Sequence, residues 1–181
     1  MKLRVLRGER IHQALDEEVS YSQLRGNIDV AFPDTNKRQH ATSEVVVSNA
    51  QFIPTQGGLQ IDTISRSNTH NYKQRLIFTK VNYSPSNETS TGKFMGTDGK
   101  EHTIEPISLA GSYIKVSCTC LDFHYRFAVW NFDSDALSGA KPPLYHRKTT
   151  TRPPVNPARA PGVCKHIISV VNHLKRQNLL K

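Results

Sequence analysis

The pattern of apolar and polar positions changes character twice along the chain. Residues 1–43 are mixed in pattern, and Ile11, Leu15 and Val19 fall at a spacing that forms one helical stripe beside Asp16, Glu17 and Glu18. A short helix and an ordered arm both fit this stretch. Asn27–Gln39 is rich in turn formers, and Pro33-Asp34 predicts a turn. Residues 44–117 then read as antiparallel β structure. EVVVSNAQFI from Glu44 is β-branched, Gln56-Gly57-Gly58 is a turn, and LQIDTIS offers Leu59, Ile61 and Ile64 as apolar members of a hairpin. A third strand is predicted over Asn71–Tyr83, with Leu76, Phe78 and Val81 inward. Ser84–Gly92 is a polar loop, and Thr97-Asp98-Gly99 is a turn between two short strands, the second covering Glu101–Ile104. Gly111–Ser117 is a further strand.

The pattern changes again in residues 118–181. Leu121–Phe132 (LDFHYRFAVWNF) predicts a helix capped by Asp122, with Phe123, Phe127 and Trp130 on one face. That spacing points to core packing of the aromatic residues and not to base stacking. Residues 133–161 form a long proline-rich loop without periodicity, and its Pro-Pro steps favour an extended, stiff chain. A structureless loop of this length points to function or to a segment laid on a partner. Val163–Leu180 is the clearest helix, with Ile167, Val170, Val171 and Leu174 on one face and basic residues near its end. The predicted fold is α+β: a small antiparallel sheet with a C-terminal helix, extended arms and a long proline-rich loop.

Composition adjusts this picture modestly. A hydrophobic fraction of 36% and a mean hydropathy of -0.52 predict one modest core with irregular periphery. The formal charge of +9 is spread along the chain and densest from Lys141 to Arg159. It favours a polyanion or an acidic protein surface, although a solvated basic exterior carries such charge equally well. The N-terminal MKLRVLRGERIHQALDEE lacks an apolar run, so it predicts neither a signal peptide nor a membrane span, and no later stretch approaches about 18 apolar residues. Three cysteines do not pair evenly, which predicts a reducing interior and no disulfide framework.

The cysteines themselves carry the chemistry. All three lie in VSCTCL and VCKHI, as Cys118, Cys120 and Cys164, with His166 two residues after the last. Alternate residues at a strand end face one side, and a cysteine at a helix start gains the dipole and free N–H groups that stabilise a thiolate. Three thiolates and one imidazole make a closed tetrahedral zinc site, structural and not catalytic, that clips a strand end to a helix start across about 43 residues. Ordinary buried cysteines beside a surface histidine are the plain alternative. His124, four residues after Cys120, is the substitute or outer candidate. The chain has no phosphate-binding Gly-rich loop, HExxH or Gly-x-Ser-x-Gly motif, and no enzymatic activity is expected.

Cys118-x-Cys120 followed by Cys164-x-His166, after a hydrophobic strand and at the head of an amphipathic helix, resembles the SWIM-type zinc finger. The resemblance implies Zn2+ held by Cys118, Cys120, Cys164 and His166 in a module that engages DNA or protein. The linker here is longer than is usual for that family, and proline-rich. The wider run from about Met95 to Leu174, with its CxCxDFxxRF and PGVCKH elements, is similar to virion structural proteins of contractile-tailed bacteriophages. That resemblance implies a structural component of the virion, in the baseplate or tail first and the neck or head second. It would be assembled in the bacterial host cytoplasm, in several copies, against other virion proteins and without a membrane. The alternative is a nucleic-acid-binding SWIM module working through its basic surface.

Overall fold

The computed structural model describes residues 18–33, 41–83, 91–146, 151 and 154–181. Helix α1 spans Tyr21–Ala31, and a 3-10 turn at Thr42–Glu44 leads into β1 (Val45–Thr55), β2 (Gly58–Ser67) and β3 (His70–Thr79). Two short strands, β4 (Gly92–Met95) and β5 (Glu101–Ile104), precede β6 (Ile114–Cys118). Helices α2 (Leu121–Arg126), α3 (Ala128–Asp133) and α4 (Lys165–Arg176) complete the fold. The architecture is the α+β arrangement expected, a small antiparallel sheet with a C-terminal helix.

The main sheet has the order β1-β2-β3-β6, all antiparallel, and β4-β5 forms a separate hairpin. The β1–β2 hairpin turns at Gly57, whose φ of 74° is the conformation glycine adopts without steric cost. Register places Ile61, Leu76 and Val116 in one cross-strand row and Leu59, Phe78 and Ile114 in the next, all buried. Of the three apolar members expected to alternate on β2, Ile64 falls out of phase with Leu59 and Ile61. The two-residue period that buries Leu59 and Ile61 also buries Thr63, Ser65 and Ser67, and leaves Ile64 half-exposed on the other face. Val81 is buried, as expected, although it lies beyond the end of β3.

Two helices differ from expectation for local reasons. The stripe residues Ile11 and Leu15 lie outside the described residues, and so does Asp34 of the predicted turn. The helix found runs through Asn27–Ala31, where turn formers predict a loop. Ser20 and Gln23 start it with a reciprocal capping box, and Leu24 and Ile28, one turn apart, are completely buried. Those contacts outweigh the turn preference of Asn27 and Asp29, and the chain leaves the helix at Phe32, before Pro33. Tyr21, Leu24, Ile28 and Phe32 of this stretch are members of the core.

The aromatic segment is two short helices meeting at Phe127 and not one helix. Its cap is Cys120, whose sulfur accepts the Phe123 N–H at 3.3 Å, while Asp122 pairs with Arg126 one turn on at 3.0 Å. Phe123 and Phe127 fill the core as predicted, and Phe127 meets Phe32 edge to face at 5.9 Å. Trp130 is only half-buried, and Tyr125 and Phe132 are exposed.

Helix α4 buries Ile167, Val170, Val171 and Leu174 as their spacing requires. It stops at Arg176, short of the predicted Leu180. Asn178 turns with φ of 58°, and Leu179 and Lys181 exchange backbone hydrogen bonds with Ile107, which buries Leu179 and Leu180 at the edge of the core. Among the described residues, no helix is long and apolar enough to cross a membrane.

Candidate metal centre

Cys118 is the last residue of β6, Cys120 caps α2, Cys164 caps α4, and His166 lies in the first turn of α4. A strand end and two helix N-termini therefore converge. The three sulfurs and the imidazole lie within 4.8 Å of one another, and all four residues are buried. His166 presents Nδ1, which is 3.9 Å from both the Cys118 and the Cys164 sulfur. Four soft or borderline donors, distant in sequence and gathered at one buried point, are compatible with a metal ion. His124 is not among them. It is exposed, and its ring lies against Tyr125.

The electrostatics of the pocket favour one thiolate over its neighbours. Hydrogen bonds from the Cys120 and Cys164 thiols, with help from the Cys120 backbone N–H and the Gln74 side chain, outweigh burial and push Cys118 down to about 4. Burial pushes Cys164 well above the usual thiol range, and the neighbouring sulfurs of Cys118 and Cys120 add to that. Three thiols packed together cannot all ionise unless a cation joins them, and a coordinated cation deprotonates its thiol ligands.

A polar layer supports the sulfurs. Thr63, Gln74 and Cys118 form one cross-strand row, next to the apolar row of Ile61, Leu76 and Val116. The Thr63 hydroxyl donates to Gln74 Oε1 at 3.0 Å. Gln74 Nε2 donates to the Tyr72 carbonyl at 2.9 Å and reaches the Cys118 sulfur at 3.6 Å. An N–H aimed at a sulfur stabilises its thiolate and fixes its direction. The Tyr72 ring covers the His166 ring, with centroids 4.3 Å apart. Among the described residues, His166 Nε2 and Ser65 Oγ are buried without a hydrogen-bond partner.

The approach to Cys164 is held by asparagines. Asn131, fully buried on α3, accepts the Gly162 N–H at 2.7 Å and donates to the Gly162 carbonyl at 3.0 Å. Asn156 donates to the Arg126 and Ala160 carbonyls at 2.9 and 2.8 Å and accepts the Ala160 N–H, and Asn27 donates to the Pro161 carbonyl. Gly162 sits where a Cβ would lie 2.9 Å from the Phe127 ring and 3.2 Å from Ile28 Cδ1, so glycine lets the chain approach the core closely. The end of the proline-rich loop is thus fixed two residues before the first ligand of α4.

Sequence spacing gave all four donors, but it missed Thr63, Gln74, Tyr72 and the three asparagines. Only one signal for the first pair was available: two polar residues at positions whose parity marks them as inward. No protein-family model, curated protein or solved structure matches the chain.

Proposed function

We propose that the protein is a zinc-stapled structural component of a contractile-tailed phage particle, in its baseplate or tail, acting through contacts with other virion proteins. The observation that carries the metal part of this reading is the convergence of Cys118, Cys120, Cys164 and His166 on one buried point. Zinc bound at about 2.3 Å from sulfur and about 2.0 Å from nitrogen sets S···N at roughly 3.5 Å and S···S at roughly 3.8 Å; the 3.9 Å contacts of Nδ1, in a set lying within 4.8 Å, would contract by some tenths of an ångström on binding. A donor set of three cysteines and a histidine suits zinc and fills all four of its positions. No position is left for water or substrate, which makes the role structural.

Several of the residues on which the phage and SWIM resemblance rests lie in or beside the cluster, which supports this reading. Cys118, Cys120, Cys164 and His166 are the donors. Asp122 and Arg126 pair across one helical turn, Phe123 and Phe127 fill the core beneath, and Gly162 allows the close approach to Phe127. Zinc would join the sheet to α2 and α4 and offset the entropy of closing the loop between them. The basic, proline-rich segment outside the staple supplies a surface for neighbours.

Elemental analysis of the purified protein should find about one zinc per chain. Cys118→Ser and His166→Ala should each abolish it and cost about 3 kcal/mol or more, lowering Tm by roughly 6–12 °C. A metal-free protein with unchanged melting refutes the staple. Mass spectrometry of purified phage particles should find the chain as a stoichiometric constituent, and its absence from intact particles refutes the virion role.

A further inference from the structure

The charge of the chain is divided more sharply than its total suggests. Residues 136–181 contain nine Lys and Arg and no Asp or Glu, so they carry all of the +9, while residues 1–135 hold fifteen of each sign. One described part of this segment, at Lys141 and Tyr145, lies against the most aromatic helices of the protein. The Lys141 ammonium lies 5.4 Å from the centroid of Phe132 on α3, and the Tyr145 ring lies 4.6 Å from that of Tyr125 on α2. The chain from Lys141 to Tyr145 therefore runs back along the outside of the two helices, stiffened by Pro142-Pro143.

The strip so formed exposes Leu121, Tyr125, Phe132, Leu144 and Tyr145, each between 41% and 68% exposed. On the same helix pair, the Arg159 guanidinium lies 5.8 Å from the Trp130 ring and has no acidic partner among the described residues. The acids on these helices are already engaged: Asp122 by Arg126, and Asp133 by Lys141. An exposed pair of tyrosine rings, a nearby exposed Phe132 and the Arg159 guanidinium, with a C-terminal segment whose charge is wholly positive, suit a ligand with flat apolar faces and regular negative charge.

We propose that the outer face of α2 and α3, with Lys141–His146 laid along it, binds single-stranded nucleic acid. Unpaired bases stack on Tyr125, Tyr145 and Phe132, and Arg159 and the basic C-terminal region attract the phosphates. A duplex hides its base faces and gains only the charge term, so single strands are preferred. An acidic protein partner would satisfy the charge but leave the rings without a matching flat ligand. The inference concerns a surface separate from the metal centre and holds whether or not the protein belongs to a particle.

The test is fluorescence anisotropy of the full chain with a labelled oligothymidylate of about 20 nucleotides and with a duplex of equal length, at about 50 mM salt and upward. The single strand should bind at least tenfold more tightly than the duplex, with affinity falling as salt rises. Replacing Tyr125 and Tyr145 together by serine should weaken it about tenfold or more, with little change in melting temperature because both rings are exposed. Photo-cross-linking of a bromouracil oligonucleotide to the unaltered protein should label peptides containing Tyr125, Phe132 or Tyr145, which keeps the test independent of how the variant folds. Three results overturn the proposal: no binding at low salt, equal binding of duplex and single strand, or cross-links elsewhere. So does capture of that face by a virion protein with no oligonucleotide binding.

Discussion

Asn131→Ala tests whether the Cys164–His166 end of the cysteine–histidine cluster depends on the clamp that precedes it. The side chain is completely buried and makes two hydrogen bonds to the backbone of Gly162, one as donor and one as acceptor. Alanine leaves that N–H and that carbonyl buried with no partner. Each orphaned group costs about 1–3 kcal/mol, so the pair predicts a loss of roughly 2–6 kcal/mol, before any cost of the small cavity. That is a large share of the roughly 5–15 kcal/mol by which domains are stable. Asn131→Asp should be at least as damaging, because one oxygen then faces the Gly162 carbonyl and the burial of a carboxylate is added. Urea unfolding monitored by the fluorescence of the single tryptophan, Trp130, measures the loss on the adjacent residue. Because Gly162 stands two residues before Cys164, the same variants, loaded with zinc as proposed, should release it to a chelator faster than the parent loaded in the same way. A loss for Asn131→Ala below about 1 kcal/mol, or an Asn131→Asp protein as stable as the parent at pH 7, refutes the argument that this clamp sets the position of α4.

Two further outcomes follow from buried and half-buried polar groups. Ser65 is completely buried and its hydroxyl has no partner among the described residues, so Ser65→Ala should leave stability unchanged or raise it by up to about 1 kcal/mol in urea melts; a destabilisation of more than about 1 kcal/mol contradicts the geometry. Arg75 holds Asp62 through two hydrogen bonds at 2.7 and 2.8 Å, which lowers the carboxyl below its usual range. A depressed carboxylate contributes stability above its unfolded pKa of about 3.9 and loses it as pH falls through the lower folded value. Both side chains are partly exposed and therefore screened. Asp62→Asn should accordingly cost less than about 1 kcal/mol at pH 7, with the difference shrinking below about pH 4. A difference that grows as the solution is acidified contradicts this assignment.

The sequence was most legible where one periodicity dominates. The β1–β2 hairpin, the inward residues of β3 and the buried face of α4 all follow from regular alternation or helical spacing, because burial of one face is the main local requirement on such segments. It was least legible where tertiary contacts outvote local preference. Asn27 and Asp29 read as turn formers, but the Ser20–Gln23 cap and the burial of Leu24 and Ile28 carry the helix through them. The aromatic run suggested a single core-facing helix. The two helices meet at Phe127, and Trp130, predicted on the core face, is only half-buried; no spacing rule encodes that break.

The four residues of the cluster could be singled out from composition and spacing alone. With only three cysteines, a Cys-x-Cys pair and a Cys-x-His pair point to one site wherever the chain can bring them together. Its setting was decided by the fold. That Gln74 turns an N–H toward Cys118 depends on the β2–β3–β6 register, and that Gly162 can be gripped by Asn131 depends on how the chain returns over α3. Local sequence specifies which atoms can bond and which faces are apolar. Cross-strand register and the packing of distant segments determine which of those atoms meet, because they arise from the burial of the whole core at once.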